Sequence, residues 1–157
     1  MAAFSIRRAA PDEAAILAGI AQAAKAHWGY SAAQLAAWRD GLSPDSASIA
    51  SCPTHVAEID GEIAGFCQLI DSARPAVVEH LWVHPRHMGR GIGRALLDAC
   101  LRELAAAGGD ALDIDSDPHA EGFYLACGAV RVGEIAAPID GQPDRVRPQL
   151  RLAVMRT

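Results

Sequence analysis

Residues 81–97 read Leu-Trp-Val-His-Pro-Arg-His-Met-Gly-Arg-Gly-Ile-Gly-Arg-Ala-Leu-Leu, and this stretch decides the fold. Its apolar start predicts a strand that ends at Pro85, and the glycines that follow predict a tight turn. A helix is predicted over residues 91–107, because the apolar side chains there recur along one continuous stripe. A strand that enters a helix through glycines forms an anion site, since unpaired backbone N–H groups and the helix dipole favour negative charge there. Positive charge is added by Arg86, Arg90 and Arg94.

The glycine turn departs from two common nucleotide-binding loops. An NTPase loop needs Gly-Lys followed by Ser or Thr, whereas this chain has Gly93-Arg94-Ala95. A dinucleotide-binding loop needs Gly-x-Gly-x-x-Gly directly after the first strand. Here the third glycine comes one residue early, and several elements precede the turn. Both functions are therefore disfavoured.

The segments on either side predict the element order β α α β β β α β α β β. Asp60-Gly61 lies between two alternating apolar runs, which is the strongest short-range signal of a hairpin. The glycine turn and its helix predict a right-handed crossover between two parallel strands. A mixed sheet covered by helices follows. The predicted strands are residues 4–8, 54–59, 62–70, 77–84, 111–115, 130–135 and 150–155, and the predicted helices are residues 12–26, 31–40, 91–107 and 117–127.

The length and composition of the chain limit the classes of protein to which it can belong. The 157 residues, with a mass of 16.5 kDa, predict a single domain spanning residues 1–157. With 19 acidic side chains against 14 Lys and Arg, the net charge of −5 argues against nucleic acids and anionic membranes as partners. No apolar run approaches the roughly 18 residues of a membrane span, and no signal peptide is apparent. The four cysteines form no CxxC pair, so free thiols in a reducing cytoplasm are expected.

Two segments together resemble the GNAT superfamily of acyl-CoA-dependent N-acetyltransferases. Residues 81–97 are similar to its acyl-CoA signature, Val-x-Pro followed by Arg/Gln-x-x-Gly-x-Gly/Ala and a leucine-bearing helix. Residues 117–129, Asp-Pro-His-Ala-Glu-Gly-Phe-Tyr-Leu-Ala-Cys-Gly-Ala, resemble its second motif, Asn-x-x-Ala-x-x-Phe-Tyr-x-x-x-Gly-Phe. Met88 stands at the Arg/Gln position of the first motif. The resemblance in element order covers nearly the whole chain.

The resemblance implies an α/β, GNAT-like fold: a mixed, mostly antiparallel sheet of about seven strands with a central parallel crossover and helices on both faces. It also implies acetyl-CoA as co-substrate, with no metal, in a wedge between two splayed strands. The backbone at Val83 would polarise the acyl carbonyl, and amides of residues 88–94 would cradle the pyrophosphate. The cofactor-binding residues so implied are Leu81, Trp82, Val83, Met88, Gly89, Arg90, Gly91, Ile92, Gly93, Arg94 and His119.

Direct acyl transfer needs an acid for the leaving thiolate and a base for the amine. The second motif favours Tyr124 as the acid, and packing of its ring beside Phe123 is the alternative. Glu79 is the candidate base, because a carboxylate within a core strand is unusual unless it is solvated or functional. The alternative is an exposed glutamate at the start of the strand. Other candidate bases are His80, His84 and Glu58.

Metal and thiol chemistry are both disfavoured. His80 and His84 would lie roughly 13 Å apart on a strand, and Pro85 forbids the helix that would bring them together. Cys127 has no histidine placed near it by sequence, and a buried structural thiol is commoner than a nucleophile.

The connection between the first two helices is the candidate acceptor site. In this family it usually overhangs the acceptor end of the wedge, and here it holds His27, Trp28 and Tyr30. These rings could wall the site by apolar or cation–π contacts, or they could plug the second helix onto the sheet. Together with Glu79 they favour a small or peptidyl cationic amine. Rival functions are a non-catalytic CoA-binding or sensing module and transfer of a larger acyl group. A homodimer is left open.

Overall fold

The computed structural model describes residues 3–155, which form one seven-stranded sheet with five α-helices. The strands are β1 (Phe4–Arg8), β2 (Thr54–Ile59), β3 (Glu62–Ile70), β4 (Ala76–Val83), β5 (Ala111–Asp115), β6 (Val130–Ala136) and β7 (Val146–Ala153). The helices are α1 (Ala14–Ala26), α2 (Ala32–Trp38), α3 (Ser46–Ser51), α4 (Ile92–Ala106) and α5 (Glu121–Ala126). No helix in this part of the chain has the length and apolar character needed to cross a bilayer.

The strand order is β1-β2-β3-β4-β5-β7-β6. Every neighbouring pair is antiparallel except β4 and β5, which are parallel and are joined by the crossover through α4. The β2–β3 hairpin turns at Asp60 and Gly61, whose φ angles of 52° and 77° match the turn that Asp-Gly favours. The predicted mixed, mostly antiparallel sheet with one central crossover is confirmed.

Helices cover both faces of the sheet, as predicted. One face packs on α4, whose apolar stripe, including Leu96, Leu97 and Cys100, is fully buried against the strands. The other face packs on α1 through Leu17 and Ile20. Complete burial of such side chains stabilises the fold by roughly 1.5–3 kcal/mol each. The amphipathic pattern of each helix therefore decides which side of the sheet it covers.

Two elements differ from the sequence prediction. The α3 helix was missed, because its six residues bury only Ile49 and so carry no readable period. Its visible signal is Asp45, whose side chain accepts from the N–H of Ser48 at 2.8 Å. Strand β7 begins at Val146 rather than 150, with Pro148 inside it. The pairing of β7 with β5 begins only at Gln149, so Pro148 has a strand partner on one side and its missing N–H is tolerated.

Candidate active site

Strands β4 and β5 part halfway along β4. Their parallel pairing ends where Val78 lies opposite Ile114, and residues 79–83 have no partner on β5. The register of β3 and β4 shifts at Glu79, which is an extra residue on β4. An extra residue bends its strand away from regular pairing. The parting of the strands opens the wedge that the family resemblance implies.

A cavity of about 400 Å³ lies in this wedge, within the usual size range of small-molecule sites. It is bounded by β4, the glycine turn, the end of β5 and the start of α5. The sequence-predicted residues on its wall are Trp28, Glu79, Leu81, Trp82, Val83, Met88, Gly89, Gly91, Ile92, Gly93, Arg94, His119 and Tyr124. The structure therefore brings most of the predicted site together. His27, Tyr30 and Arg90 lie off the wall.

The glycines of the turn meet two different structural requirements, a left-handed backbone conformation and close packing of two helices. Gly89 and Gly91 both have φ of 79°, a left-handed conformation that favours glycine, and a Cβ at either would meet nothing within 4 Å. The backbone there is open to a ligand, and the first N–H groups of α4 lack helical acceptors. Gly93 instead lets α4 approach α5, because its Cβ would lie 3.3 Å from the ring of Phe123. The open backbone fits a phosphate group.

Two of the arginines near the turn have different partners, and one of these two arginines faces the cavity. Arg86 forms an ion pair with Glu62, outside the cavity. Arg94 lies on the cavity wall and its Nη1 donates to the Ala126 carbonyl at 3.4 Å. Arg94 is thus the arginine that extends the positive end of α4 into the site.

The backbone N–H of Val83 faces the open side of β4. The next N–H, that of His84, donates across to the Ala64 carbonyl of β3 at 2.8 Å. Because successive N–H groups of a strand point in opposite directions, the N–H of Val83 points away from β3. This N–H lies beyond the last β4–β5 pair, so it is placed to donate to a bound carbonyl oxygen.

Tyr124 lies on α5 with 6% of its surface exposed, and its ring packs edge-on against Phe123. Within residues 3–155, no side chain or backbone group hydrogen-bonds its hydroxyl. Burial raises the pKa of this phenol well above its ordinary value. The hydroxyl therefore stays protonated and can serve as a donor.

Glu79 is exposed at the bulge of β4 and lies on the cavity wall. Within the described chain it makes no side-chain hydrogen bond or ion pair. Glu79 is exposed, as the alternative interpretation predicts, but it lies in the middle of the strand and not at its start. Its carboxylate is free to meet a ligand.

The other bases considered from sequence are less available. Glu58 accepts two hydrogen bonds from Arg7, on the far side of the sheet from α4. His84 accepts the N–H of Arg86 through Nδ1 at 3.1 Å. Burial lowers the pKa of His80 to about 4, so this imidazole is a weak base. No group of three or more His, Cys, Asp or Glu within residues 3–155 is arranged to hold a metal ion.

A buried cluster around Asp117 joins the acceptor loop to the start of α5. Its Oδ1 accepts the N–H of His119, as predicted for a cap, while Oδ2 pairs with Lys25 and accepts the Tyr30 hydroxyl at 2.9 Å. Arg145 lies 3.6 Å from the same oxygen. Burial opposes the charge of Asp117, but the hydrogen bond and charge of Lys25 outweigh it and lower the carboxyl pKa to about 2.

Sequence reasoning missed this cluster, although one signal was available. Lys25 is the only lysine in the chain and lies among alanines on an apolar helix. Its Nζ lies 4.4 Å from the ring centroid of Trp38 and 4.9 Å from that of Tyr30. Arg145 lies over the same two rings. Lys25 and Arg145 therefore already form cation–π contacts with the rings of Tyr30 and Trp38.

The three predicted acceptor residues have different surroundings. Trp28 lies on the cavity wall and stacks on His119, with ring centroids 5.2 Å apart and planes 10° apart. His27 contacts the edge of Trp28. Tyr30 is buried edge-on against Trp38 of α2, at 4.8 Å between centroids. Tyr30 thus packs α2, while Trp28 alone of the three meets the cavity.

Comparison with solved structures finds the same fold. A GCN5-related N-acetyltransferase from Rhodopseudomonas palustris is 27% identical, with a TM-score of 0.79 over 98% of this chain and 97% of that one. The PaiA N-acetyltransferase of Thermoplasma acidophilum, solved with coenzyme A, is 17% identical, with a TM-score of 0.72 over 96% and 99%. The ribosomal-protein-S18-alanine N-acetyltransferase of Escherichia coli is 18% identical, with a TM-score of 0.73 over 99% and 96%.

The family to which these folds point also matches at the level of sequence. The model of the acetyltransferase (GNAT) domain matches residues 16–137, which include both motifs, the wedge and most of the sheet. This match agrees with the parting of β4 and β5, with the open glycine turn and with the cavity that lies between them. The chain belongs to the GNAT family of acetyltransferases.

Proposed function

We propose that this protein transfers an acetyl group from acetyl-CoA to a primary amine, by direct attack in a complex that holds both substrates. The observation that carries the proposal is the cavity itself. It runs from the open backbone of Gly91 to Tyr124 and Trp28, so one space touches a phosphate cradle, a proton donor and an acceptor wall. Membership of the acetyltransferase family supports the reaction class.

The cofactor would lie along β4 with its pyrophosphate at the glycine turn. The positive φ of Gly89 and Gly91 and the empty space beside them fit a phosphate, and PaiA of the same fold was solved with coenzyme A. The dipole of α4 and the side chain of Arg94 would favour the negative charge. Acetyl-CoA supplies the activated acyl group, and the N–H of Val83 would stabilise negative charge on the acyl oxygen as the amine attacks.

The chain must then supply one proton and remove another. Tyr124 would donate its proton to the departing sulfur, which its protonated hydroxyl and its place on the cavity wall support. A base on the same wall must take the proton of the amine, and the sequence predicted Glu79 for this task. The charge of Glu79 would also attract a cationic amine.

A small or peptidyl amine is proposed as the acceptor. The wall offered by Trp28 and Glu79 is apolar on one side and anionic on the other. One structural relative is named for acetylation of an alanine of ribosomal protein S18, which is a peptidyl acceptor. A homodimer and a cytoplasmic location stay predictions from the sequence.

The test is release of free thiol by the purified protein from acetyl-CoA and longer acyl-CoAs, with a panel of amines, amino acids and peptides. We expect amine-dependent release with acetyl-CoA. Release only with longer thioesters would assign a larger acyl group. Binding of coenzyme A, measured by calorimetry, without release for any amine would reject the enzyme and indicate a CoA-binding module.

A further inference from the structure

The turn between β5 and α5 holds a histidine that is oriented by a buried carboxylate. His119 lies on the cavity wall, and its Nδ1 is 2.8 Å from Oδ1 of Asp117. The other oxygen of Asp117 is held by Lys25 and by the Tyr30 hydroxyl. The carboxylate therefore has a fixed position and a stable negative charge.

This arrangement selects one tautomer of the ring. A carboxylate can only accept a hydrogen bond, so Nδ1 of His119 must carry the proton that it shares with Asp117. In the neutral imidazole, Nε2 then keeps its lone pair. Within residues 3–155, no group hydrogen-bonds this second nitrogen.

Aromatic neighbours hold the plane of the ring. Trp28 stacks on His119 in a nearly parallel orientation, and Tyr30 meets it edge-on at 5.4 Å between centroids. The His119 side chain keeps 38% of its surface exposed, so the ring is fixed but not enclosed. A held ring with an accessible Nε2 has the two properties of a general base.

We infer that His119 is the catalytic residue that takes the proton of the acceptor amine, and that Asp117 is its positioning residue. This inference rests on the proposed function. As the amine nitrogen bonds to the acyl carbon and the C–S bond breaks, the proton from nitrogen passes to Nε2 of His119. Tyr124 protonates the departing sulfur. The imidazolium is stabilised by Asp117 and then releases its proton to solvent, and the Tyr124 phenolate takes a proton from solvent, which restores both groups.

His119 suits this step better than Glu79. A glutamate carboxylate is ordinarily a much weaker base than an imidazole. Glu79 is also exposed with no group that orients it within the described chain, whereas His119 has Asp117 on one nitrogen and two rings around it. Glu79 is left to attract the amine.

Kinetics of three variants separate the two candidate bases. His119→Asn keeps a polar side chain but cannot take a proton. We expect its kcat to fall by about 10²-fold or more while the KM for acetyl-CoA stays within about twofold. Glu79→Gln should raise the acceptor KM and leave kcat within about threefold. His55→Asn, on β2 and off the cavity wall, controls for loss of an imidazole.

The pH dependence gives a second kinetic readout. The ionisable groups that face His119 are Asp117 and Tyr30, with Lys25 and Arg145 behind the carboxylate. A protonated Nε2 cannot accept the proton of the amine, so kcat should decline on the acid side of the profile. That decline should be absent in His119→Asn. Its persistence there, or a loss of kcat in Glu79→Gln alone, would overturn the inference while the proposed function stands.

A measurement without turnover tests the orientation directly. Nitrogen-15 NMR of the ligand-free wild type, assigned by the signals lost in His119→Asn and recorded on the alkaline side of the ring's titration, should show the proton on Nδ1. Protonation at Nε2 would overturn the inference, because that nitrogen could not accept a proton. Absence of turnover by the wild type with every amine would overturn this inference and the proposed function together.

Discussion

Replacing Tyr124 by Phe removes a single oxygen atom from the site and leaves the ring in place. The ring is 6% exposed and packs on Phe123 at 5.1 Å between centroids. No group within residues 3–155 hydrogen-bonds the hydroxyl. In the folded protein the oxygen therefore contributes little to stability, and its presence on the cavity wall needs another explanation.

The structure separates the expected effect on stability from the expected effect on rate. The hydroxyl lines the cavity and has no hydrogen-bond partner within residues 3–155, so its removal should change the unfolding free energy by less than about 1 kcal/mol. Loss of a general acid should lower kcat by about 10²- to 10⁴-fold, which corresponds to about 3–5 kcal/mol in the activation barrier. A variant that is nearly as stable but far slower cannot be explained by damage to the fold.

Two assays are needed, urea unfolding followed by tryptophan fluorescence and thiol release under conditions where chemistry limits the rate. Tyr30→Phe is the matched control, because its hydroxyl donates to Asp117 at 2.9 Å and accepts from Arg145 at 3.1 Å. That variant should lose about 1–3 kcal/mol of stability. If Tyr124→Phe turns over within about threefold of wild type, Tyr124 is not the acid and packing explains its position.

Three further expectations follow from the same geometry. Gly91→Asp should weaken acetyl-CoA binding in calorimetry by about tenfold or more, because it adds negative charge beside the helix N-terminus. Gly91→Asn has the same shape and also tolerates positive φ, so equal losses in both variants would place the effect in the backbone and not in the charge. Trp28→Ala should raise the acceptor KM and leave the acetyl-CoA KM unchanged, and the reverse pattern would move Trp28 to the cofactor. The unfolding free energy should fall by about 2 kcal/mol between about pH 4 and pH 2, since the lowered pKa of Asp117 stabilises the fold only while the carboxyl is ionised. Asp117→Asn should flatten that fall in acid-unfolding curves, and an unchanged slope would show that other carboxylates cause it.

Much of the fold was predictable because its signals are local. The two residues Asp60-Gly61 predict a hairpin. The apolar stripe of α4 predicts a buried face from the fifteen residues of that helix alone. Ser31 begins α2 by accepting the N–H of Gln34, as the spacing predicted. The α3 helix was not predicted, because its single buried side chain cannot reveal a helical period of apolar residues.

Some parts of the candidate site could likewise be predicted from local sequence, and other parts could not. The glycine turn and Tyr124 lie within two contiguous motifs, so their presence on one cavity wall followed from the family resemblance. The bulge at Glu79 and the departure of β4 from β5 depend on pairing with other strands, which periodicity does not report.

The sequence alone determined the order of the strands and of every α-helix except α3, together with the crossover and the family, because each depends on residues that are close together in the chain. Only the tertiary structure decided the chemistry around His119. Lys25 and Asp117 are separated by 92 residues, and Tyr30 and Arg145 by 115. Such contacts form when the packing of α1 and the β6–β7 loop brings distant charges into one buried space, where desolvation makes each charge require a partner. No local pattern encodes that requirement, so only the folded chain shows that Asp117, predicted as a cap, also orients a histidine.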